Sequence, residues 1–214
     1  MSEEAQAREE ICQLAKSLFD RGLTCGATGN LSMRLSDGNY LVTPTGSSMG
    51  FLDPANISLL GQRFQYISGD RPTKELPLHA AFYETRNQAR AVVHLHSSYA
   101  VALSMLPGID PDNAIPPVTP YAIMLLGKVK FLPFFVPGDA GMGEAVKALN
   151  GTRAAVLLAN HGPVVSAKDL RSAVFASEEL EEAAKLSLLT QRLSPTLLTE
   201  PQIKAVVSKF NVEW

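Results

Sequence analysis

Residues 91–96 have the sequence Ala-Val-Val-His-Leu-His, an apolar run that ends in two histidines one residue apart. The length of the run and its β-branched residues predict a buried strand over 91–96. Because alternate side chains of a strand point to the same face, His94 and His96 are expected to direct two imidazoles toward one point. The run therefore predicts a core strand and two ligands of a metal site.

A second apolar run, 154–159, is followed by His161. The chain has only four histidines, and three of them lie at or just after the ends of two predicted strands. Three neutral ring nitrogens with open positions are typical of a catalytic zinc centre rather than a closed structural one. Glu75, in a turn-like segment, adds a candidate acid/base. The alternative is that the His-x-His pair is an ordinary pair of surface or hydrogen-bonded histidines.

The bulk composition favours one globular unit. The chain has 214 residues, of which 46% are hydrophobic and 19% charged, so we expect a single domain over residues 1–214 with a sizeable core. The net charge of −2 gives no electrostatic basis for a nucleic acid or membrane partner. Cys12 and Cys25 are too few for a disulfide framework. The acidic N-terminus and the lack of a long apolar run predict a soluble, cytoplasmic protein.

The apolar periodicity predicts helices that alternate with short strands. The five prolines of residues 107–120 predict an irregular loop. This order of elements predicts an α/β domain whose mixed sheet is covered by helices. Helices are expected over 4–21, 77–86, 97–106, 141–149, 169–192 and 200–210, and strands over 31–35, 40–43, 57–60, 63–67, 91–96, 129–136 and 155–159.

Two small polar loops that contain glycine come before Glu75. They hold Gly29-Asn30 and Thr45-Gly46, and Thr73-Lys74 directly precedes the glutamate. Backbone nests of this kind bind phosphate without net positive charge. Neither loop matches a Walker A or a dinucleotide-binding fingerprint. Taken alone, each loop also fits an ordinary turn, and Lys74 fits a solvated surface lysine.

Five motifs in chain order resemble the class II aldolase/adducin family. The resemblance spans roughly residues 8–210. It implies a three-layer α/β/α fold with a central, largely antiparallel mixed sheet. It also implies a homotetramer with sites near the subunit interfaces. The motifs are 29–32 (Gly-Asn-Leu-Ser), 43–46 (Thr-Pro-Thr-Gly), Glu75 with His79 four residues later, 92–96 (Val-Val-His-Leu-His) and 160–162 (Asn-His-Gly).

The resemblance also implies a role for each matching residue. One Zn²⁺ per subunit, or another divalent metal, would be bound by His94, His96 and His161. Glu75 would be the catalytic acid/base and a ligand of the empty metal. Adducin-like members are scaffolds without the metal, so the retained histidines and glutamate favour an enzyme. The substrate phosphate would lie among Gly29, Asn30, Thr45, Gly46 and Thr73.

One departure from the aldolase pattern concerns the substrate. Thr73-Lys74 replaces a serine pair, and the added cation indicates a second anionic group, such as a carboxylate. Segments 49–54, 72–75, 103–108 and 158–165 are similar to one branch of the family. That branch decarboxylates 3-oxo-tetronate 4-phosphate to dihydroxyacetone phosphate and CO₂ through an enediolate, in four-carbon acid sugar catabolism.

Three other functions stay open at this point. They are a fuculose-phosphate aldolase-like enzyme, a 4-epimerase and an adducin-like scaffold. Tyr121, after the proline-rich loop, is expected to have a packing role, and a contribution to a neighbouring subunit's site is the alternative.

Overall fold

The strands of the computed structural model, which describes residues 2–214, form one sheet. Within the described residues there are eight: β1 (Asn30–Arg34), β2 (Tyr40–Val42), β3 (Ser58–Leu60), β4 (Tyr66–Ser68), β5 (Ala91–His94), β6 (Val129–Leu132), β7 (Ala155–Leu158) and β8 (Gly162–Ala167). Their order is β4-β3-β2-β1-β5-β8-β7-β6. Every neighbouring pair is antiparallel except β6–β7, which is parallel. The expected largely antiparallel mixed sheet is confirmed.

The strand predictions differ from the structure at β8, inside the sheet, and at β6, on its edge. β8 was not predicted, although it lies between β5 and β7, because its opening Gly162-Pro163 is typical of a turn. β6 ends at Leu132 instead of residue 136, since Pro133 has no N–H group to continue the ladder.

Seven α-helices lie within residues 2–214, and none of them is long and apolar enough to cross a membrane. Six agree with the predicted helices to within a few residues. The helix that was missed follows the proline-rich loop: Pro120 occupies its first turn, where a missing N–H costs nothing, and Thr119 caps it. The helices are α1 (Glu3–Asp20), α2 (Leu76–Thr85), α3 (Ser98–Ser104), α4 (Pro120–Leu126), α5 (Gly141–Lys147), α6 (Leu170–Thr190) and α7 (Glu200–Phe210).

The helices cover both faces of the sheet. Ala91 and Val93 of β5 face a core formed with α1 and the start of α6, whereas Val92 faces a core formed with α2 and α5. A third cluster joins α3, α4 and α6 to the β7 end of the sheet. His94 is two residues after Val92 in the same strand, so its side chain also lies on the α2 face. The three-layer α/β/α arrangement is confirmed.

The end of β5 sets the direction of both histidines of the His-x-His pair. The strand ends at His94, two residues before the predicted end. Leu95 still donates a backbone hydrogen bond to Pro163 and its side chain stays fully buried in the α1 core. The alternation therefore continues past the strand, and His96 returns to the side of His94.

A tight turn between β7 and β8 places His161 beside the end of β5. Asn160 has a φ of 55°, and its N–H donates to Ser104 Oγ at 3.0 Å. Gly162 has a φ of 147°, and a Cβ at this position would lie 2.2 Å from the Leu95 carbonyl oxygen. Only glycine allows this close approach of the turn to the strand.

We predict that Gly162→Ala lowers the free energy of unfolding by at least about 3 kcal/mol, because the new methyl group collides with backbone. Urea unfolding followed by circular dichroism measures the change. Gly108→Ala is the matched control: Gly108 has a φ of 77° with nothing within 4 Å of its Cβ position, so only the backbone strain applies. We expect about 1 kcal/mol there. Equal losses in the two variants would contradict the collision.

Candidate metal centre and substrate cavity

Four side chains from three parts of the chain converge on one point. His94 ends β5, His96 lies two residues beyond it, His161 lies in the β7–β8 turn and Glu75 directly precedes α2. One donor atom from each of the four lies within 4.8 Å of the others. The structure thus brings together all four residues that the sequence proposed as metal ligands.

The spacing of these donor atoms fits a shared cation. His94 Nε2 lies 3.1 Å from His96 Nε2 and 3.4 Å from His161 Nε2. The Glu75 carboxylate oxygens lie 3.3 Å from His94 Nε2 and 3.3 Å from His161 Nε2. Ligands of a tetrahedral zinc ion, bound at about 2.05 Å, lie about 3.3 Å from one another.

The tautomer of His94 suits a ligand. Its Nδ1 lies 2.9 Å from the Pro163 carbonyl oxygen, which can only accept, so Nδ1 carries the proton and Nε2 presents its lone pair. Within the described residues, Glu75 Oε1 and His161 Nδ1 are buried without a hydrogen-bond partner. A cation at this point would satisfy the carboxylate oxygen, whose burial is otherwise costly.

The surroundings of His94 and His96 favour their neutral rings, and those of Glu75 favour its carboxylate. Burial lowers the pKa of His94, and burial together with the neighbouring histidines lowers the pKa of His96 to about 4. Burial alone would raise the pKa of Glu75, but the close approach of the His161 and His94 rings to its carboxylate and the hydrogen bond from Asn30 outweigh burial and hold that pKa well below its ordinary value. Neutral rings and a carboxylate are the forms that bind metals.

A cavity of about 270 Å³ opens beside the four side chains. Its walls include Glu75, His96 and His161. All six residues proposed from the sequence to surround the substrate line it: Gly29, Asn30, Thr45, Gly46, Thr73 and Lys74. Four more lining residues were not proposed for the site: Ala27, Thr28, Pro44 and Pro137.

Each of the two cavity loops has one glycine with a positive φ. Gly29 and Gly46 have φ values of 79° and 72°, in the left-handed region from which anion-binding nests are built. At Gly29 a Cβ would lie 3.0 Å from both Met49 Sδ and Thr24 Oγ1, so a larger residue does not fit without a shift. Thr73 has a further role, because its Oγ1 accepts the Glu75 N–H at 3.2 Å and helps to orient the start of α2.

Two other candidate residues have positions that the sequence did not anticipate. The Asn30 side chain donates to Glu75 Oε2 at 2.8 Å, so it contacts the candidate acid/base as well as lining the cavity. Tyr121 is 60% exposed on α4 and does not line the cavity. The expected packing role of Tyr121 stays a prediction.

Comparison with known proteins identifies the family. The family model of the class II aldolase and adducin N-terminal domain matches residues 9–188. The chain belongs to the class II aldolase and adducin family. The resemblance inferred from the five motifs is confirmed.

Individual relatives of this class II aldolase-family chain agree with that assignment. A 3-oxo-tetronate 4-phosphate decarboxylase of Pectobacterium atrosepticum is 48% identical over 186 residues, which cover 87% of this chain and 85% of the relative. An L-fuculose phosphate aldolase of Methanococcus maripaludis is 35% identical, covering 86% and 97%. The crystal structure of Escherichia coli YgbL, a candidate aldolase/epimerase/decarboxylase, superposes with a TM-score of 0.94 at 42% identity, covering 96% and 99%.

We predict that His96→Ala weakens zinc binding at least about 100-fold, because the substitution removes one of three ring-nitrogen donors. Competition with a chromophoric chelator, checked by metal analysis of the dialysed protein, measures the change. His79→Gln is the matched control, since His79 is the fourth histidine and lies behind Asn30. It should keep the metal. Full zinc affinity in His96→Ala would exclude His96 as a ligand.

Proposed function

We propose that this protein is a metal-dependent carboxy-lyase that converts 3-oxo-tetronate 4-phosphate to dihydroxyacetone phosphate and CO₂. The observation that carries the proposal is the 48% identity to a decarboxylase of that name over 87% of the chain. The site supports a lyase, because metal-ligand side chains, an ionised carboxylate and an anion-binding cavity lie side by side. An adducin-like scaffold, which catalyses no reaction, has no need of metal ligands, a buried carboxylate and a substrate cavity in one place.

The reaction needs a sink for one electron pair and a source of one proton. Loss of CO₂ breaks the bond between C1 and C2, and the pair moves toward the C3 carbonyl to give an enediolate. A proton added at C2 completes dihydroxyacetone phosphate. A divalent metal held by His94, His96 and His161 would supply Lewis acidity for the charge on the substrate oxygens, and zinc fits this donor set.

Glu75 is the residue we assign to proton delivery at C2. It lies at the wall of the cavity, and its low pKa leaves it ionised in the resting site. It therefore takes up a proton from solvent or from a substrate hydroxyl before it donates one. The Asn30 amide holds Oε2 meanwhile, so the carboxylate keeps a defined direction.

We assign the two ends of the substrate to different groups of the cavity wall. The phosphate lies against the loops of Gly29, Thr45 and Gly46, with Thr73 adjoining them. Lys74 lies in the same wall and provides a cation for the carboxylate that an aldolase substrate lacks. Binding energy at both ends orients the bond that breaks.

We also propose one domain over residues 1–214, a homotetramer with one metal per subunit, and a cytoplasmic location. Exposed aromatic and aliphatic side chains support an oligomer, among them Tyr121 and Leu125 on α4 and Phe134 and Val136 after β6. A contribution of Tyr121 to a neighbouring subunit's cavity belongs to the same proposal. Cys12 and Cys25 are both unpaired, as in proteins of reducing compartments.

We predict that zinc-loaded protein releases CO₂ and dihydroxyacetone phosphate in equal amounts from freshly prepared 3-oxo-tetronate 4-phosphate, above the spontaneous rate. Coupled assays that follow both products in one reaction measure the ratio. Glu75→Gln should lower kcat about 10²- to 10⁴-fold while the metal stays bound, because the proton donor is lost.

The second candidate function is a sugar-phosphate aldolase that would use the same cavity. The 35% identity to an L-fuculose phosphate aldolase supports it. Absence of enzymatic CO₂ release, together with condensation of dihydroxyacetone phosphate with an aldehyde, would favour the aldolase. Unimpaired turnover in Glu75→Gln would remove Glu75 from the chemistry.

A further inference from the structure

A row of buried polar side chains begins at Glu75 and Asn30 in the cavity wall and continues into the core. Asn30 Nδ2 lies 2.8 Å from Glu75 Oε2, and Asn30 Oδ1 lies 2.5 Å from His79 Nε2. His79 Nδ1 lies 2.7 Å from Ser32 Oγ, which lies 2.8 Å from Tyr83 Oη. All four residues behind Glu75 are less than 10% exposed. Buried polar groups of this kind are costly unless every member is satisfied.

The direction of each hydrogen bond follows from the chemistry of its partners. An ionised Glu75 can only accept, so Asn30 must direct its NH₂ toward the carboxylate and its oxygen toward His79. His79 then carries its proton on Nε2, and its Nδ1 accepts from the Ser32 hydroxyl. Ser32 Oγ in turn accepts from Tyr83. Every donor in the row, from Tyr83 to Asn30, therefore points toward Glu75.

His79 has no free nitrogen for other chemistry. Both ring nitrogens are engaged, the ring is fully buried, and burial lowers the pKa of His79 to about 3, so it stays neutral. The Asn30 amide separates His79 from Glu75, and an amide nitrogen keeps its protons. These contacts exclude His79 as a metal ligand or as a source of protons for Glu75.

We propose that His79 is a positioning residue for the lyase reaction: with Ser32 and Tyr83 behind it, His79 locks the Asn30 amide in the one orientation that donates to Glu75. Without this lock, rotation of the amide by half a turn would direct its oxygen at the carboxylate, and the two acceptors would repel each other. The proposal deepens the assignment of Glu75 to proton delivery and rests on the proposed function.

The test compares two substitutions of His79 in the metal-loaded protein. His79→Leu removes both hydrogen bonds and should lower kcat about 10- to 100-fold, with KM and bound metal nearly unchanged. His79→Gln keeps an N–H for Asn30 and should restore kcat to within about threefold of wild type. A wild-type kcat in His79→Leu, or a loss that simply follows loss of metal, would overturn the proposal.

A double-mutant cycle separates positioning from a general structural effect. If His79 acts through Asn30, His79→Leu should cause little further loss of kcat in an Asn30→Ala background. Independent, multiplicative losses would contradict the proposal. Tyr83→Phe serves if His79→Leu does not fold, because it removes only one hydroxyl at the far end of the row. It should give a smaller loss with the same dependence on Asn30.

A measurement without turnover distinguishes this proposal from the proposed function. Nitrogen NMR of metal-free protein labelled at histidine should show His79 as the neutral Nε2–H tautomer near pH 7. An Nδ1–H tautomer or a protonated ring would overturn the lock whatever the substrate is. If the wild-type protein releases no CO₂ although the Nε2–H tautomer is found, the proposed function fails and the lock is supported.

Discussion

The convergence of three imidazoles and one carboxylate on a single point is the constraint on which the rest of the structure depends. Four such groups, whose donor atoms lie within 4.8 Å and are largely out of contact with water, are costly to bury unless a cation shares them. Their positions require β5 at the centre of the sheet, the sharp β7–β8 turn and the start of α2 to meet at one edge. Gly162 allows that meeting, because no side chain fits against the Leu95 carbonyl.

Near the site, the two faces of the sheet differ in the polarity of their buried side chains. On the α1 face, β1 and β5 present apolar residues such as Leu31 and Val93 to a continuous core. On the α2 face, the polar residues Ser32 and His94 occupy fully buried positions where apolar side chains would be expected. The polar row behind Glu75 therefore occupies space that packing alone would fill with hydrocarbon. We infer that this use of core volume serves the orientation of Glu75.

Local patterns in the sequence predicted the candidate metal ligands more accurately than they predicted the helices and strands around them. The alternation that pairs His94 with His96 holds even though the strand ends early, because Leu95 stays in the core. The sequence did not predict β8 or α4, because proline and glycine are typical of loops but also occur at the first residues of a strand or a helix. β8 begins with Gly162-Pro163, and α4 begins with Pro120. Asn30 and His79 come from different elements, and only the packing of α2 on β1 brings their side chains together.

The central claim is that one metal ion is held by the three histidines. Anomalous diffraction at the zinc edge, from crystals of protein loaded with one equivalent of zinc, tests it most directly. The account predicts a single strong peak per chain at about 2.0–2.1 Å from Nε2 of His94, His96 and His161. A peak held by other residues, or no peak at this point in fully loaded crystals, would contradict it.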